Sequence, residues 1–157
     1  MTAEHDLLLQ MLDDAYDHHA WHGTNLRGAL RGVTAEEAQW RPANGRHNIW
    51  ELALHCAYWK YTVRRRITGE KRMSFARKGS DWFPLPDEPS ERAWREDLAL
   101  LESEHRALRA LISKLTPEQL HEKRHRRYTN MQMLYGVASH DLYHCGQIQL
   151  LKRLEGV

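Results

Sequence analysis

Two histidines near the C-terminus, His140 and His144, are four residues apart in a segment with helical periodicity. On an α-helix this spacing places both imidazoles on one face, about 6 Å apart along the axis, so together they can bind one divalent metal ion. The pair also lies on the apolar stripe of its segment, between Val137 and Ile148. Burying two imidazoles without partners is costly, and a shared metal ion would satisfy both. The position therefore favours a metal site over two incidental surface histidines.

A third histidine, His55, interrupts the apolar stripe of another helical segment in the same way. Helical bundles build cofactor sites from inward-facing side chains on neighbouring helices. Three histidines leave positions for water or substrate on a divalent ion, and such open sites are typical of catalysis, whereas structural zinc usually has four protein ligands. We therefore predict a metal site formed by His55, His140 and His144. The alternative for His55 is a core histidine bonded to a backbone carbonyl, and for His105 this structural role is the favoured interpretation.

Four long segments with helical periodicity would have to position these histidines. Their approximate ranges are 4–30, 48–67, 90–115 and 130–154. Asn48 and Glu51 are spaced as a capping pair at the start of the second segment. Gly69 and Gly156 follow the second and fourth segments as stop signals.

Two short segments, 34–37 and 116–119, begin with a capping-box pattern, and each lies between one long helix and the next. The longest break, 69–89, contains prolines and separates two halves that each consist of a long, a short and a long helix. A connection of this length need not join antiparallel neighbours and can cross the length of a bundle. The sequence therefore predicts an all-α single domain over residues 1–157. Its expected architecture is a four-helix bundle with a long crossover between the second and third helices and two short extra helices.

The composition excludes several classes of protein. The 157 residues are 41% hydrophobic and 28% charged, which is the balance of a globular protein able to bury a core. A formal net charge of +2 favours no polyanionic partner. No uninterrupted apolar run is long enough to cross a bilayer. The two cysteines form no CxxC pair and, without a recognisable signal peptide, they indicate a reducing cytosolic location.

Two stretches of the sequence resemble the signature segments of the DinB/YfiT-like superfamily. They are residues 47–55 (HNIWELALH) and residues 140–148 (HDLYHCGQI), of which the second is the more specific. The segments 20–23 (AWHG) and 33–42 (VTAEEAQWRP) are also similar to the family, so the resemblance covers essentially the whole chain.

This resemblance implies a four-helix bundle with a long crossover between its second and third helices. It also implies a three-histidine site for zinc, nickel or a similar ion, and frequent homodimers. Carried over to this chain, the ligands are His55, His140 and His144. Three imidazoles suit zinc, nickel, copper and iron alike, so the residues themselves do not identify the ion. Zinc and nickel are the predicted cofactors.

Side chains next to the predicted ligands offer further candidates. Asp141 occupies the position of the general-base glutamate in HExxH metalloproteases, but its side chain is one methylene shorter. Its favoured role is therefore to orient a ligand imidazole or to bond a neighbouring group. Tyr143 is a second catalytic candidate, as a donor to a bound substrate or as a partner in an interhelical hydrogen bond. Cys56 and Cys145 are each one residue, about 100° around a helix, from a predicted ligand, so both are expected to be small buried fillers.

Two classes of function agree with a metal site. The first is a metal-dependent enzyme, which the resemblance indicates could be a transferase that uses a low-molecular-weight thiol held as thiolate by the ion. A hydrolase that uses a metal-bound hydroxide is a variant of this idea. The second class is a metal-binding stress-response or interaction protein without catalysis. Basic residues at the end of the second helix either bind an acidic cosubstrate or solvate the helix end: Arg64, Arg65, Arg66, Lys71 and Arg72.

Nucleic-acid binding and self-association are the remaining questions about partners. The basic runs 64–66 and 123–127 lack an aromatic-interleaved groove or a reader motif, so no nucleic-acid partner is predicted. The second helix carries another apolar stripe beside its His55 face, and a helix that is apolar nearly all round is buried on more than one side. We predict a homodimer interface there, with covering by the 69–89 connection as the alternative. The stripe consists of Trp50, Ala53, Leu54, Ala57 and Tyr61.

Overall fold

A computed structural model of the chain describes residues 2–71 and 75–157, and the regular secondary structure within them is entirely α-helical. The helices are α1 (Ala3–Tyr16), α2 (Leu26–Leu30), α3 (Ala35–Gln39), α4 (Ile49–Thr68), α5 (Glu91–Ile112), α6 (Pro117–His121) and α7 (Asn130–Glu155). The predicted all-α fold is confirmed.

The four long helices α1, α4, α5 and α7 form the bundle. Helix α4 packs against α5 and α7, and α1 packs against α7 and α5 from the opposite corner. Trp50 and Trp94, which lie in the first turns of α4 and α5, are in ring contact, so these two helices run parallel. The connection between them must therefore return along the length of the bundle. This is the long crossover that the sequence predicts.

Local capping explains where the helices of the site begin and end. At the start of α4 the Asn48 side chain accepts a hydrogen bond from the Glu51 backbone N–H at 2.9 Å, and the Glu51 carboxylate accepts one from the Asn48 N–H. Gly69 ends this helix in the left-handed conformation, at φ 77°. Helix α7 starts with a capping box between Thr129 and Gln132. Capping boxes also open the short helices α3 and α6, at the two positions that the sequence predicts.

The prediction of one continuous helix over 4–30 was wrong. Helix α1 ends at Tyr16, and the chain turns through Gly23, which has φ 100°, before α2 begins. The Asn25 side chain caps α2 by accepting a hydrogen bond from the Gly28 N–H at 2.8 Å. Asparagine and glycine favour such local bonding and turns over a helix interior, and this local chemistry overrides the apolar spacing on either side.

The second apolar stripe of α4 is buried inside the chain, so the dimer interface predicted there is wrong. The indole N–H of Trp50 donates to Asp97 Oδ2 on α5 at 2.7 Å. Tyr61 packs against Phe75 of the crossover, with ring centroids 5.3 Å apart. Helix α5 and the crossover together cover this face, and the stripe residues are all buried. Covering by the connection, the alternative expectation, is what the structure shows for part of the stripe.

The interior contains two apolar clusters with a polar layer between them. One cluster includes α4 as far as Ala57 and α7 from Cys145 onward. The other includes α4 from Val63 onward and α7 as far as Ala138. The buried side chains of Lys60, Asp141, His55 and His144 and the half-buried side chain of His140 lie at or next to this boundary. No helix within the described ranges is both long enough and apolar enough to span a membrane.

Candidate metal centre

The structure brings the three predicted ligands together at the interface of α4 and α7. The Nε2 atom of His140 is 3.1 Å from His55 Nε2 and 3.0 Å from His144 Nε2. The ring centroids of His55 and His144 are 4.8 Å apart. Two nitrogens bound to one zinc ion lie at most about 4.2 Å apart, since each Zn–N bond is about 2.0–2.1 Å long. The His140 nitrogen is thus close enough to each of the other two to share a cation with it, and all three ligand atoms lie within 4.8 Å of one another.

Hydrogen bonds on the far side of two rings orient their lone pairs. His55 Nδ1 is 2.9 Å from the Asp81 backbone oxygen, and His144 Nδ1 is 2.6 Å from Gln147 Oε1. Both partners are acceptors, so both Nδ1 atoms donate, and in the neutral rings each Nε2 carries a lone pair directed at the centre. The alternative that a backbone carbonyl alone satisfies His55 is correct for Nδ1, but it leaves Nε2 facing His140.

Burial keeps the three imidazoles neutral. It lowers the pKa of His140 to about 3 and that of His144 to about 4, and the neighbouring histidines reinforce both shifts. Burial also lowers the pKa of His55, although Asp81 opposes this shift. Neutral imidazole is the form that binds metal ions. The chemistry of this donor set fits a divalent ion, and the three histidines could hold one.

The crossover supports His55 through two residues that the sequence did not single out, Asp81 and Trp82. The Trp82 ring stacks on His55 at a centroid distance of 3.9 Å and an interplanar angle of 10°. Asp81 adopts φ 67°, a left-handed conformation that aspartate tolerates, and its Oδ1 accepts a hydrogen bond from Trp59 Nε1 at 2.8 Å. The turn-forming Gly79-Ser80-Asp81 run before Trp82 is the local signal, but it predicts a turn and not its place against α4.

A buried ion pair links the two ligand-bearing helices beside the histidines. The Nζ of Lys60 on α4 donates to Asp141 Oδ2 on α7, and both side chains are completely buried. Asp141 Oδ1 has no hydrogen-bond partner among the described residues. Because Lys60 holds the Asp141 carboxylate inside the helix interface, the structure favours a supporting role for Asp141 over that of a general base.

The remaining neighbours of the ligands differ in exposure. Tyr143 is 65% exposed, and its ring lies 5.0 Å from that of His144, so it borders the site from the solvent side. Cys56 and Cys145 are free and buried, as predicted, and burial raises the pKa of both thiols. A nitrogen of His140, a carboxylate oxygen of Asp141 and the Cys56 sulfur also lie within 4.8 Å of one another, so a second group with metal-ligand chemistry overlaps the first.

The basic residues at the end of α4 separate into two sets. Arg64 is held by Glu70 and Glu104, at 2.9 and 3.2 Å. Arg65 and Arg66 line a cleft of about 580 Å³ that the crossover closes with Arg77 and Lys78, and whose wall includes Trp59 and Asp81. Lys71 is exposed, and Arg72 lies outside the described residues.

His105, by contrast, is not part of the centre. Its ring stacks on that of Tyr16, with centroids 3.8 Å apart, and it is 3% exposed. The interpretation of His105 as a core histidine agrees with this placement.

The similarity of the chain to known protein families identifies the family to which it belongs. Neither a curated protein nor a solved structure matches it. A family model described as the DinB superfamily matches residues 18–148, a range that includes all three histidines of the centre, the whole of α4 and most of α7. Because this match covers most of the sequence and the helices form the expected bundle, the chain belongs to the DinB superfamily.

Proposed function

We propose that this protein binds one divalent metal ion through His55, His140 and His144 and transfers a low-molecular-weight thiol to an electrophilic small molecule. The observation that carries the proposal is the convergence of three neutral imidazole nitrogens, with Nε2 atoms 3.0 and 3.1 Å apart. Within residues 2–71 and 75–157, no fourth histidine, cysteine or carboxylate joins this group. Three protein ligands leave positions open for a substrate.

The chain's own residues hold the site ready for this reaction. A bound divalent ion would supply the positive charge that keeps a thiol as its reactive thiolate. Asp81 and Gln147 hold the His55 and His144 rings with their Nε2 atoms inward, and Trp82 covers the His55 ring. In the transfer the thiol proton passes to water and the sulfur forms a bond to the electrophilic carbon. The leaving group departs with the electron pair of the bond that breaks.

The basic cleft supports an acidic thiol as the cosubstrate. Arg65, Arg66 and Lys78 line it beside Arg77, whose guanidinium pairs with the buried Asp97 carboxylate, and a cluster of cations attracts carboxylates. Asp81 belongs both to the wall of this cleft and to the hydrogen bond that orients His55, so the cleft adjoins the histidines. We propose zinc or nickel as the ion, because both accept imidazole ligands. We propose the reducing cytosol as the location, because both cysteines are free thiols.

A thiol-consumption screen tests the proposed reaction. Protein purified without nickel affinity is analysed for bound metal and then incubated with candidate thiols and a panel of electrophiles. We expect turnover that disappears on chelation and in His55→Ala. Turnover should persist in His19→Ala, a matched change at an exposed histidine.

The other functions correspond to distinct outcomes of the same screen. Tight metal binding without turnover of any thiol would overturn the transferase and leave a metal-binding protein without catalysis. Metal-dependent ester cleavage that needs no thiol would instead support the hydrolase.

The homodimer implied by the resemblance remains a proposal, now without the α4 stripe as its interface. Light scattering at micromolar concentration should give twice the chain mass of 18.5 kDa. A particle with the mass of one chain would refute the dimer.

A further inference from the structure

A groove beside the histidines has a chemical character different from that of the basic cleft. It lies between α4 and α7, has a volume of about 360 Å³, and shares Trp59 with the cleft as a common wall. Its lining consists of Trp59, Val63, Tyr128, Gln132, Met133, Tyr135, Gly136, Val137 and His140. The groove thus reaches one of the three proposed metal ligands, and the ring centroids of Trp59 and His140 are 6.1 Å apart.

The lining of this groove selects against charged molecules. Its lining among the described residues contains no aspartate, glutamate, lysine or arginine, and its polar groups are the Gln132 amide, two tyrosine hydroxyls and the His140 ring. A charged group would lose water there without gaining a counter-ion, which is costly. A volume of this order suits a small molecule, since ligand pockets begin at about 300 Å³.

The second groove at the centre differs in this respect. It has a volume of about 510 Å³, is reached from His144, and includes Arg46 and His47 in its lining. Of the two grooves, only the one at His140 therefore combines an uncharged lining with a proposed ligand histidine.

Gly136 keeps the groove open on the α7 side. This glycine lies in the interior of a 26-residue helix, where alanine would be the better helix former. A Cβ atom added at Gly136 would meet no heavy atom within 4 Å. Because Gly136 lines the groove, a large side chain at this position would enter the open space without displacing the helix.

We propose that the groove beside His140 binds the uncharged, apolar body of the electrophilic cosubstrate and presents its reactive carbon to the metal centre. The identification of the ligand as an electrophile rests on the proposed thiol transfer. The binding of an uncharged aromatic molecule follows from the lining alone. Trp59 then separates an apolar substrate on one side from an acidic thiol on the other.

A pair of glycine substitutions on one helix tests the groove directly. Gly136→Leu fills it, and Gly146→Leu is the matched control, because Gly146 also lies inside α7 with open space around its Cβ position but lines a different surface. The probe is N-phenyl-1-naphthylamine, an uncharged dye whose fluorescence rises in apolar sites. We expect Gly136→Leu to weaken dye binding by at least about tenfold relative to wild type and to Gly146→Leu. Circular dichroism should show both variants folded.

Two competitors connect the groove to the reaction. In the absence of thiol, 1-chloro-2,4-dinitrobenzene, an uncharged aromatic electrophile, should displace the dye from wild type, and iodoacetate, a small charged electrophile, should not. Equal dye affinity in wild type and Gly136→Leu, or displacement by iodoacetate alone, would overturn the inference. Loss of dye binding in Gly136→Leu together with no thiol turnover in any variant would support the groove and refute the proposed function, so the two failures are distinguishable.

Discussion

Two groups of buried polar side chains lie next to each other in the layer between the apolar clusters, and they differ in how their polar atoms are satisfied. One group contains Lys60, Asp141, Tyr16 and His105. Here the partners come from the chain, since Lys60 pairs with Asp141, the Tyr16 hydroxyl donates to Glu102 Oε2 at 2.9 Å, and the Tyr16 ring stacks on that of His105. Among the described residues, Asp141 Oδ1 and His105 Nδ1 have no hydrogen-bond partner. The other group is the histidine triad, in which three ring nitrogens converge on one point.

The comparison shows that burial on an apolar stripe does not by itself identify a metal ligand. His105 is 3% exposed and His144 is 4% exposed, so their burial is the same. The two differ in what surrounds the ring, because His144 is in ring contact with two other imidazoles, whereas His105 has no imidazole in ring contact among the residues that the structure describes. We therefore expect changes in the first group to alter folding stability and changes in the triad to alter metal binding.

Removing one partner of the ion pair should have the largest effect on folding. Lys60→Met leaves the Asp141 carboxylate buried without a counter-ion, and such a change costs about 3–5 kcal/mol. Urea denaturation at pH 7 measures the loss. The double variant Lys60→Met with Asp141→Leu removes both charges and should recover most of it. A single variant as stable as wild type would show that the pair does not stabilise the interface of α4 and α7.

The core histidine should make stability depend on pH. Burial, followed by the charges of Lys60 and Arg109, lowers the pKa of His105 from 6.5 to about 3. Between these values the unfolded chain binds a proton that the folded chain does not, so His105 costs stability as the pH falls below 6.5. At pH 5 the loss is about 2 kcal/mol.

The variant His105→Phe keeps a ring against Tyr16 and removes this titration. The difference in unfolding free energy between pH 7 and pH 5 should therefore be about 2 kcal/mol smaller in the variant than in wild type. The triad histidines titrate equally in both proteins, so the comparison isolates His105. Equal pH dependence in the two proteins would contradict the assignment. The charges of His18 and Arg106 also lower the pKa of the His105 ring.

A change behind a ligand should have a smaller effect, confined to metal binding. Gln147→Ala removes the acceptor that holds His144 Nδ1, and loss of such support weakens metal binding by about 10- to 100-fold. Gln149→Ala, two residues further along α7 in the lining of another surface, is the control and should bind metal as wild type does. Competition with a chromophoric chelator measures both affinities. Equal weakening in the two variants would mean that the effect does not act through His144.

The residues that could be predicted from the sequence are those governed by helical spacing. The four-residue interval between His140 and His144 and the position of His55 on an apolar stripe placed all three on inward faces, and the Asn48–Glu51 cap marked the start of α4. Periodicity within a helix is a local property, so it can be read without knowing how the helices pack.

The supporting residues could not be predicted in this way. Asp81 and Trp82 reach His55 from a connection without periodicity, and the contact depends on the path of the crossover. Lys60 gives no apolar signal, and its partner Asp141 becomes evident only once α4 and α7 are in register. The second stripe of α4 shows the same limit, because its apolar pattern indicates that a partner covers it but does not distinguish a second chain from α5 and the crossover.

A calorimetric titration of metal-free protein with zinc tests the central claim most directly. Wild type and His105→Phe should each bind one ion per chain at the triad with the same affinity. His140→Ala should bind it more weakly by at least about 100-fold, the upper limit for changes behind a ligand. Unchanged zinc affinity in His140→Ala, or loss of binding in His105→Phe alone, would contradict a metal centre formed by His55, His140 and His144.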